Sequence, residues 1–233
     1  MKLINWDCLE ELKKMESESI DFVLTDVPYN ISKKNNFKSL KDANKKDWES
    51  EYKWIDFWEW DKNTFDLEWY IKWLLRVMKD WTSAFVWCSY QQLSLIEDYY
   101  RKYCPKSKQW AVRIWVWKKT NPAFFNMDKM PVNPFEFGIW FRKASKWTFN
   151  KRKDWKYTTL FWETPYASWP HPTQKRVDIC EELIETFSNK WDIVLDLVAG
   201  VWTTWIAAKN KGRDFIINER DINYFNIAKE RIN

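Results

Sequence analysis

Glycine is the residue that this sequence lacks most clearly. The 233-residue chain contains 3 glycines, whereas an average composition of roughly 7% would give about 16. It has no GxxxxGK[ST] phosphate-binding loop, and this absence argues against a nucleoside triphosphate as ligand. Tryptophan, which is normally scarce, occurs 20 times. The two anomalies have opposite sign, and the positions of the tryptophans connect them.

Other absences narrow the class of protein. No apolar run approaches the ~20 residues of a membrane-spanning helix, and the opening MKLINWDCLEEL lacks the layout of a signal peptide. We therefore expect a cytoplasmic protein. The four cysteines form no CxxC pair, and with a single histidine they cannot build a zinc site, so no metal is expected.

Many tryptophans stand where turns are expected. The triplet KDW occurs three times and NKW once, and with glycine in the last position these become ordinary turn and helix-end sequences. UGA is read as tryptophan in some genetic codes and as glycine in others, so we hypothesise that many of these residues are glycine in the native protein. A genuinely tryptophan-rich protein is the alternative. It fits the tryptophans in apolar, strand-like runs, namely Trp87, Trp115, Trp117 and Trp140.

Apolar runs alternate with amphipathic segments along most of the chain, which predicts a parallel sheet covered by helices. Strands are predicted at 21–26, 82–89, 111–117, 135–141, 192–196 and 214–219. Helices are predicted at 67–79, 91–103, 176–188 and 221–232, the last with Asp221 as N-cap. Residues 1–233 are predicted to form a single domain, with two irregular, Lys-rich and functional segments at 30–64 and 142–173.

The stretch LTDVPYNI, at 24–31, ends a buried strand with an acidic side chain. Pro28 fixes the turn after Asp26, so we expect Tyr29 to project from the carboxyl end of the strand, the edge where open α/β sheets bind ligands. A carboxylate, a turn carbonyl and a tyrosine ring can together hold a flat, amino-bearing base. A strand, acid and turn without function is the alternative that these residues alone leave open.

A second stretch, DLVAGVWTTWIAA at 196–208, follows another buried strand. A turn containing Gly200 leads into a helix, and the next strand ends at Glu219, 23 residues after Asp196. This spacing is typical of nucleoside sites, in which the second acidic side chain accepts hydrogen bonds from the ribose hydroxyls. Trp202 stands where such a loop calls for glycine, because glycine permits positive φ and close approach of the ligand.

These stretches, together with PHPTQKR at 170–176, resemble the motifs of the β group of DNA amino-methyltransferases. DVPYNI is similar to the DPPY-type catalytic tetrapeptide, HPTQK to the HPTQKP element, and DLVAGVWTT to the DPFxGSGTT segment that binds S-adenosylmethionine. The likeness covers nearly the whole chain. It implies an α/β fold with a doubly wound, mostly parallel sheet of the class I S-adenosylmethionine-dependent methyltransferase (Rossmann-like) type. It also implies methyl transfer from S-adenosylmethionine to N6 of adenine in DNA by base flipping, with N4 of cytosine as the alternative.

The resemblance assigns roles to individual positions. The implied catalytic positions are Asp26, Val27, Pro28 and Tyr29, with Val27 in place of the family's first proline. The implied cofactor positions are Asp7, His171, Thr173, Gln174, Lys175, Asp196, Gly200, Trp202, Thr203 and Glu219. Asp7 is interpreted equally well as the N-cap of a helix at 8–15. Asp26 favours adenine, because the N4-cytosine enzymes of this group more often carry serine at that position.

Double-stranded DNA is the partner that the resemblance implies. Residues 141–157 carry seven lysines and arginines against one aspartate, which suits a polyanion, although a solvated loop is the plain alternative. The residues expected to contact DNA are Lys33, Lys34, Lys143, Lys151, Arg152 and Lys153. A cognate restriction endonuclease and a homodimer are left open. An RNA or protein methyltransferase with an NPPY tetrapeptide is a rival, against which Asp26 and the HPTQK element argue.

The resemblance also bears on the tryptophans. Trp6, Trp58, Trp191 and Trp202 fall where the family tends to place glycine, and this agreement at separate sites favours codon misassignment. If the tryptophans are real, we expect little or no cofactor binding. Trp202 would then favour a catalytically inactive, DNA-binding relative.

Overall fold

The structure is a computed structural model that describes residues 2–29, 65–105, 111–120, 131, 133–150, 159–164, 175–200 and 202–230. The chain divides into two compact units, one of Met1–Val27 with Leu67–Asn233 and one of Pro28–Asp66. Of the second unit, the structure describes residues 28, 29, 65 and 66.

The larger unit alternates strands and helices. Its strands are β1 Lys2–Ile4, β2 Ile20–Asp26, β3 Met78–Cys88, β4 Val112–Lys119, β5 Phe135–Arg142, β6 Leu160–Thr164, β7 Ile193–Asp196 and β8 Asp214–Asn218. Its helices are α1 Cys8–Lys14, α2 Leu67–Val77, α3 Gln92–Tyr103, α4 Val177–Phe187, α5 Thr203–Asn210 and α6 Ile222–Glu230.

The described strands form one eight-stranded sheet in the order β1-β8-β7-β2-β3-β5-β4-β6. All neighbours pair in parallel except around β5, which runs antiparallel to both β3 and β4. The chain leaves β2 towards β3 on one side and leaves β7 towards β8 on the other. The carboxyl ends of β2 and β7 therefore form a topological switch point, where sheets of this kind bind ligands.

Both faces of β2 are buried, because helices cover the sheet on both sides. Phe22 and Leu24 lie in an aromatic-rich core in which Phe187, near the end of α4, is 5.9 Å from Phe22 between ring centroids. Helix α4 also lies against α5. This packing fixes where α4 begins, and so where the residues just before it lie.

Most predicted elements are confirmed. The six predicted strands correspond to β2, β3, β4, β5, β7 and β8, and the predicted helices to α2, α3, α4 and α6. Asp221 caps α6 as predicted, because its carboxylate accepts from the amides of Asn223 and Tyr224 at 2.8 and 3.2 Å. The prediction that 142–173 is irregular throughout is wrong, because residues 160–164 pair with β4 as strand β6. Within the described ranges, the structure has no helix long and apolar enough to cross a membrane.

Candidate active site

Three acidic residues stand at or just past the carboxyl ends of three parallel strands. Asp26 ends β2, Asp196 ends β7, and Glu219 directly follows β8. Strands β2, β7 and β8 are neighbours in the sheet, so these side chains lie along one edge of it. The two motifs that carry Asp26 and Asp196 therefore meet at one edge of the sheet.

Asp196 is a buried carboxylate that no cation contacts among the described residues. Burial raises its pKa to about 7, although hydrogen bonds from Thr204, the Val198 amide and Thr25 act in the opposite direction, and the charge of Asp26 adds to the increase. The Val198 amide donates to Oδ1 at 3.3 Å. Thr204 was not among the predicted site residues, although the TT pair of the motif pointed to it. Thr203, which was predicted, is buried in the first turn of α5.

Glu219 ties the glycine-containing turn to the start of the last helix. Its Oε2 accepts from the Gly200 amide at 2.8 Å, and its Oε1 accepts from the Asp221 amide at 2.7 Å. Burial raises the pKa of Glu219 to about 7, and these two backbone hydrogen bonds partly offset the increase. A carboxylate that accepts hydrogen bonds from two backbone amides can also accept them from the hydroxyls of a ribose.

The turn at Gly200 has the conformation and the space that a ligand needs. Gly200 has φ +54°, and, its chain neighbours aside, a Cβ added to it would meet no atom of the described residues within 4 Å. Trp202 also has a left-handed backbone, with φ +67° and ψ +38°. This conformation costs an L-residue roughly 1–2 kcal/mol. The expectation of a glycine-like backbone at Trp202 is therefore confirmed.

The indole of Trp202 does not occupy the open space beside Gly200. Its side chain is completely buried, and its ring lies edge-on to Phe225 of α6, with 5.5 Å between centroids. The indole N–H has no hydrogen-bond partner among the described residues, which is a further cost of placing tryptophan there.

The side chain of Asn218 joins the ends of three strands through hydrogen bonds. The sequence analysis did not predict this role. Its side-chain amide donates to the carbonyls of Trp6 and Leu197, each at 3.0 Å, and its oxygen accepts from the Trp6 amide at 3.1 Å. The final residue of a strand in an apolar sequence carries no signal for such a role. Asp7, next to Trp6, caps α1 by accepting from the Leu9 and Glu10 amides at 2.9 and 3.2 Å, as its alternative interpretation predicted.

Lys175 lies between two carboxylates rather than in open solvent. Its Nζ is 2.7 Å from Oδ2 of Asp26 and 3.1 Å from Oε2 of Glu136, and its side chain is 7% exposed. It was predicted as a cofactor residue, but the contacts in the structure join it to the predicted catalytic acid. The Nζ also lies 5.6 Å from the ring centroid of Trp87, which adds a cation–π contact.

Glu136 is an acidic site residue that the sequence analysis missed. Burial alone would raise its pKa, but Lys175 and Lys119 outweigh that effect and hold the pKa below its ordinary value. Glu136 is the second residue of β5, the antiparallel strand, so the start of this strand lies at the edge where the parallel strands end. Glu136 is therefore not found when site residues are sought only at the carboxyl ends of predicted strands.

Several predicted residues cannot be placed with these. Pro28 and Tyr29 belong to the second compact unit. Val27 belongs to the first unit, and its amide donates a hydrogen bond to the Trp87 carbonyl at 3.2 Å. The predicted residues outside the described ranges are His171, Thr173, Gln174, Lys33, Lys34, Lys151, Arg152 and Lys153.

Lys143 lies at the opposite end of the sheet from Asp26. Its Nζ donates to the Met78 carbonyl, at the start of β3, at 2.7 Å and lies 3.3 Å from Asp80 and 3.7 Å from Glu18. Through these contacts the Lys143 ammonium is paired with groups of the protein itself. They give no support to the prediction that Lys143 contacts DNA.

The fold and this edge define the class of protein. A mostly parallel sheet with buried carboxylates and an open glycine turn at its switch point is the arrangement of a class I, S-adenosylmethionine-dependent methyltransferase. Residues 20–230 match the family model for N6/N4 DNA methylases. The chain belongs to this DNA methylase family.

Individual relatives agree with this assignment. The Type II methyltransferase M.HinfI of Haemophilus influenzae is 27% identical over 99% of this chain and 67% of its own length. The Type II methyltransferase M2.DpnII of Streptococcus pneumoniae is 28% identical over 100% of this chain and 89% of its own length. The chain is thus similar to these enzymes over its whole length.

Solved structures show the same fold. The crystal structure of the M1.HpyAVI–SAM complex aligns with a TM-score of 0.70 and 28% identity over 99% of this chain and 98% of the other. The cytosine-N4-specific PvuII DNA methyltransferase aligns with a TM-score of 0.68 at 16% identity, over 99% and 86% of the two chains. This chain is an S-adenosylmethionine-dependent DNA methyltransferase, as its family and the fit of its turn and carboxylates indicate.

Proposed function

We propose that this enzyme methylates the exocyclic N6 of adenine in double-stranded DNA after flipping the base out of the duplex. The observation that supports it best is the Asp26 carboxylate, at the end of β2, held by the Lys175 ammonium at 2.7 Å beside the strand that carries Asp196. A carboxylate fixed in this way accepts a hydrogen bond from an amino group and orients it. Aspartate at this position favours adenine over cytosine within the family resemblance.

The side chains divide the work of binding and catalysis. Asp26 holds the amino group, and the backbone carbonyls of Val27 and Pro28 are candidates to accept its second hydrogen. We assign stacking of the base to Tyr29 from the sequence resemblance. Positioning and fixed electrostatics, rather than a covalent intermediate, then lower the barrier to transfer.

Binding of the cofactor is assigned to the other side of the edge. When bound, S-adenosylmethionine supplies an electrophilic methyl group. We propose that Glu219 accepts from its ribose hydroxyls and that the turn at Gly200 lies against it, because space is open there. The remaining cofactor assignments come from the resemblance alone and are Asp7, His171, Thr173, Gln174 and Thr203.

DNA contacts are assigned to the Lys-rich segments outside the described ranges. The proposal includes Lys33, Lys34, Lys151, Arg152 and Lys153, because lysine and arginine neutralise phosphates. A cytoplasmic location, a cognate restriction endonuclease and a homodimer belong to the same proposal, and the Type II methyltransferases that the chain resembles motivate the endonuclease.

We also propose that glycine occupies positions 191 and 202 in the active protein. Among the described residues, three non-glycine residues have positive φ, and two of them are Trp191 (φ +72°) and Trp202. Bulky residues rarely adopt this conformation, whereas glycine adopts it freely. Intact-mass analysis of the protein from its native host tests this directly, because each glycine makes the chain lighter; a mass equal to that of the printed sequence would refute it. The printed sequence, with Trp202, is the form that favours an inactive, DNA-binding relative.

An assay with a tritiated methyl donor tests the proposed reaction. Unmethylated DNA should gain label in N6-methyladenine, and Asp26→Asn should reduce the rate by about 10²–10³-fold, because the neutral amide is a weaker acceptor than the carboxylate and loses the charge that Lys175 holds. Asp80→Asn, at an exposed aspartate far from the edge, is the matched control and should leave the rate unchanged. Label in N4-methylcytosine would favour the alternative base, and label only in RNA or protein would refute the proposal.

A further inference from the structure

Four buried or half-buried charged side chains form a continuous row behind the catalytic acid. Asp26 contacts Lys175 at 2.7 Å, Lys175 contacts Glu136 at 3.1 Å, and Glu136 contacts Lys119 at 3.0 Å. The four come from β2, the segment before α4, β5 and β4. Two cations alternate with two anions, so the row is electrically balanced.

Three of the four side chains in the row are largely buried. The side chains of Lys119, Glu136 and Lys175 are 15%, 12% and 7% exposed, so solvent screens their interactions weakly. Lys119 is anchored through its backbone amide, which donates to the Pro134 carbonyl at 2.8 Å. An ammonium group held between two carboxylates has its position set by both of them.

We propose that Glu136 is a positioning residue for methyl transfer, which holds the Lys175 ammonium beside Asp26 and thereby orients the carboxylate that receives the amino group of the target base. This inference rests on the proposed function. Lys175 binds one oxygen of Asp26, Oδ2, so its position fixes the rotation of that carboxylate. Without Glu136, the Lys175 ammonium is drawn towards Asp26. There it competes with the amino group of the base for the carboxylate.

The surroundings of Lys175 make its charge state sensitive to Glu136. Among the described residues, the charge of Lys175 also acts on two thiols, those of Cys88 at the end of β3 and Cys180 on α4. Burial raises the pKa of Cys88 to about 12 and that of Cys180 further, so both stay neutral thiols. Removing the Glu136 charge therefore makes the Lys175 ammonium easier to deprotonate, and the alkaline limb of activity should move to lower pH.

The variant Glu136→Gln, compared with Glu181→Gln, tests the inference. Glu181 lies on α4 and contacts Asn210 and Lys211 on the surface, so its variant should match the wild type. Glu136→Gln should lower kcat by roughly ten- to a hundredfold, a range expected for misplacement of a catalytic group. Its affinity for S-adenosylmethionine, measured by calorimetry, should be unchanged, and its alkaline limb should move to lower pH. An unchanged kcat and pH profile would overturn the inference.

A second variant covers the case in which Glu136→Gln does not fold. Lys119→Met with Glu136→Leu removes the outer pair together and leaves Asp26 and Lys175 balanced; such replacements are often tolerated. A lowered kcat in this double variant supports positioning by Glu136, and a wild-type kcat refutes it. ¹⁵N resonances of the Lys175 ammonium supply a readout without activity, because they should titrate at lower pH in the single variant. A wild-type chain without methyl transfer defeats the proposed function, whereas an active wild type matched by its Glu136 variants defeats this inference alone.

Discussion

The two halves of the sheet edge that carries the site shift the pKa values of carboxylates in opposite directions. On the β7–β8 side, the buried Asp196 and the half-buried Glu219 have no ion pair in the described part of the chain, and the pKa of each rises to about 7. On the β2–β5 side, Glu136, whose side chain is 12% exposed, faces two ammonium groups, and its pKa falls. Burial is common to both halves, so the placement of lysines makes the difference.

The difference matches the two ligands that the halves are proposed to hold. Carboxylates held by backbone amides and hydroxyls, as Glu219 is by Gly200 and Asp221, suit a nucleoside that brings its own donors and a positive charge. A carboxylate held by an ammonium, as Asp26 is by Lys175, is fixed in orientation, which suits positioning of a neutral amino group. One sheet edge thus supports two kinds of recognition.

The largest expected effect is on the lysine-paired half. Lys175→Met leaves the charges of Asp26 and Glu136 close together without the cation between them, so the free energy of unfolding should fall by about 3–5 kcal/mol. Urea denaturation at neutral pH measures this loss. Lys211→Met is the control, because Lys211 also contacts two glutamates, 181 and 185, but on the surface; there the loss should be below about 1 kcal/mol. Equal losses in the two variants would remove the electrostatic contrast between the halves.

On the half without lysines we expect a smaller effect, in which the free energy of unfolding falls as pH rises. The pKa of Asp196 is about 7 in the folded state and about 4 in the unfolded chain, so the folded state binds the proton more tightly. Stability should therefore fall as pH rises from about 4 to about 7 and level off above, by roughly 2–4 kcal/mol for this group. Asp196→Asn should roughly halve the total decline, because Glu219, whose pKa also rises to about 7, contributes a decline of the same sign. Urea denaturation from pH 5 to pH 8 measures both declines.

The control for this pH dependence comes from the other half. Because the pKa of Glu136 is lowered on folding, its contribution to stability is present above its unfolded pKa of about 4.3 and is lost only as pH falls below that value. Asp80→Asn, at an exposed aspartate, should leave the decline intact. A wild-type chain whose stability is flat between pH 5 and pH 7 would contradict the assignment for Asp196.

The sequence predicts the cofactor half of the edge better than the lysine-paired half. Asp196, Gly200 and Glu219 follow one another within a single strand–helix–strand unit, so their spacing along the chain carries the geometry. The row from Asp26 to Lys119 joins segments from four parts of the chain, and Glu136 enters it from an antiparallel strand. Sequence patterns predict a strand at 135–141 but not its direction, and the direction decides which of its ends reaches the site.

The same limit explains Lys175 and the missed strand. The HPTQK element marks Lys175 as a site residue, but its partner depends on where α4 packs against the sheet. Strand β6 was missed because its segment is surrounded by polar, Lys-rich sequence, and pairing with β4 outweighs that local composition. Long-range pairing is the information that local patterns do not contain.

The smallest expected effect separates two exposed tryptophans, one from each half of the sheet. Trp191 precedes β7 with φ +72° and is 80% exposed, whereas Trp81 lies within β3 and is 55% exposed. Trp191→Gly should raise the free energy of unfolding by about 1 kcal/mol, because glycine relieves the left-handed strain while little packing is lost. Trp81→Gly should lower it by about 1 kcal/mol, because glycine weakens a strand. Thermal or urea denaturation measures both changes. If both variants or neither were stabilised, backbone conformation would not distinguish the two sites. That result would remove the structural support for glycine at position 191.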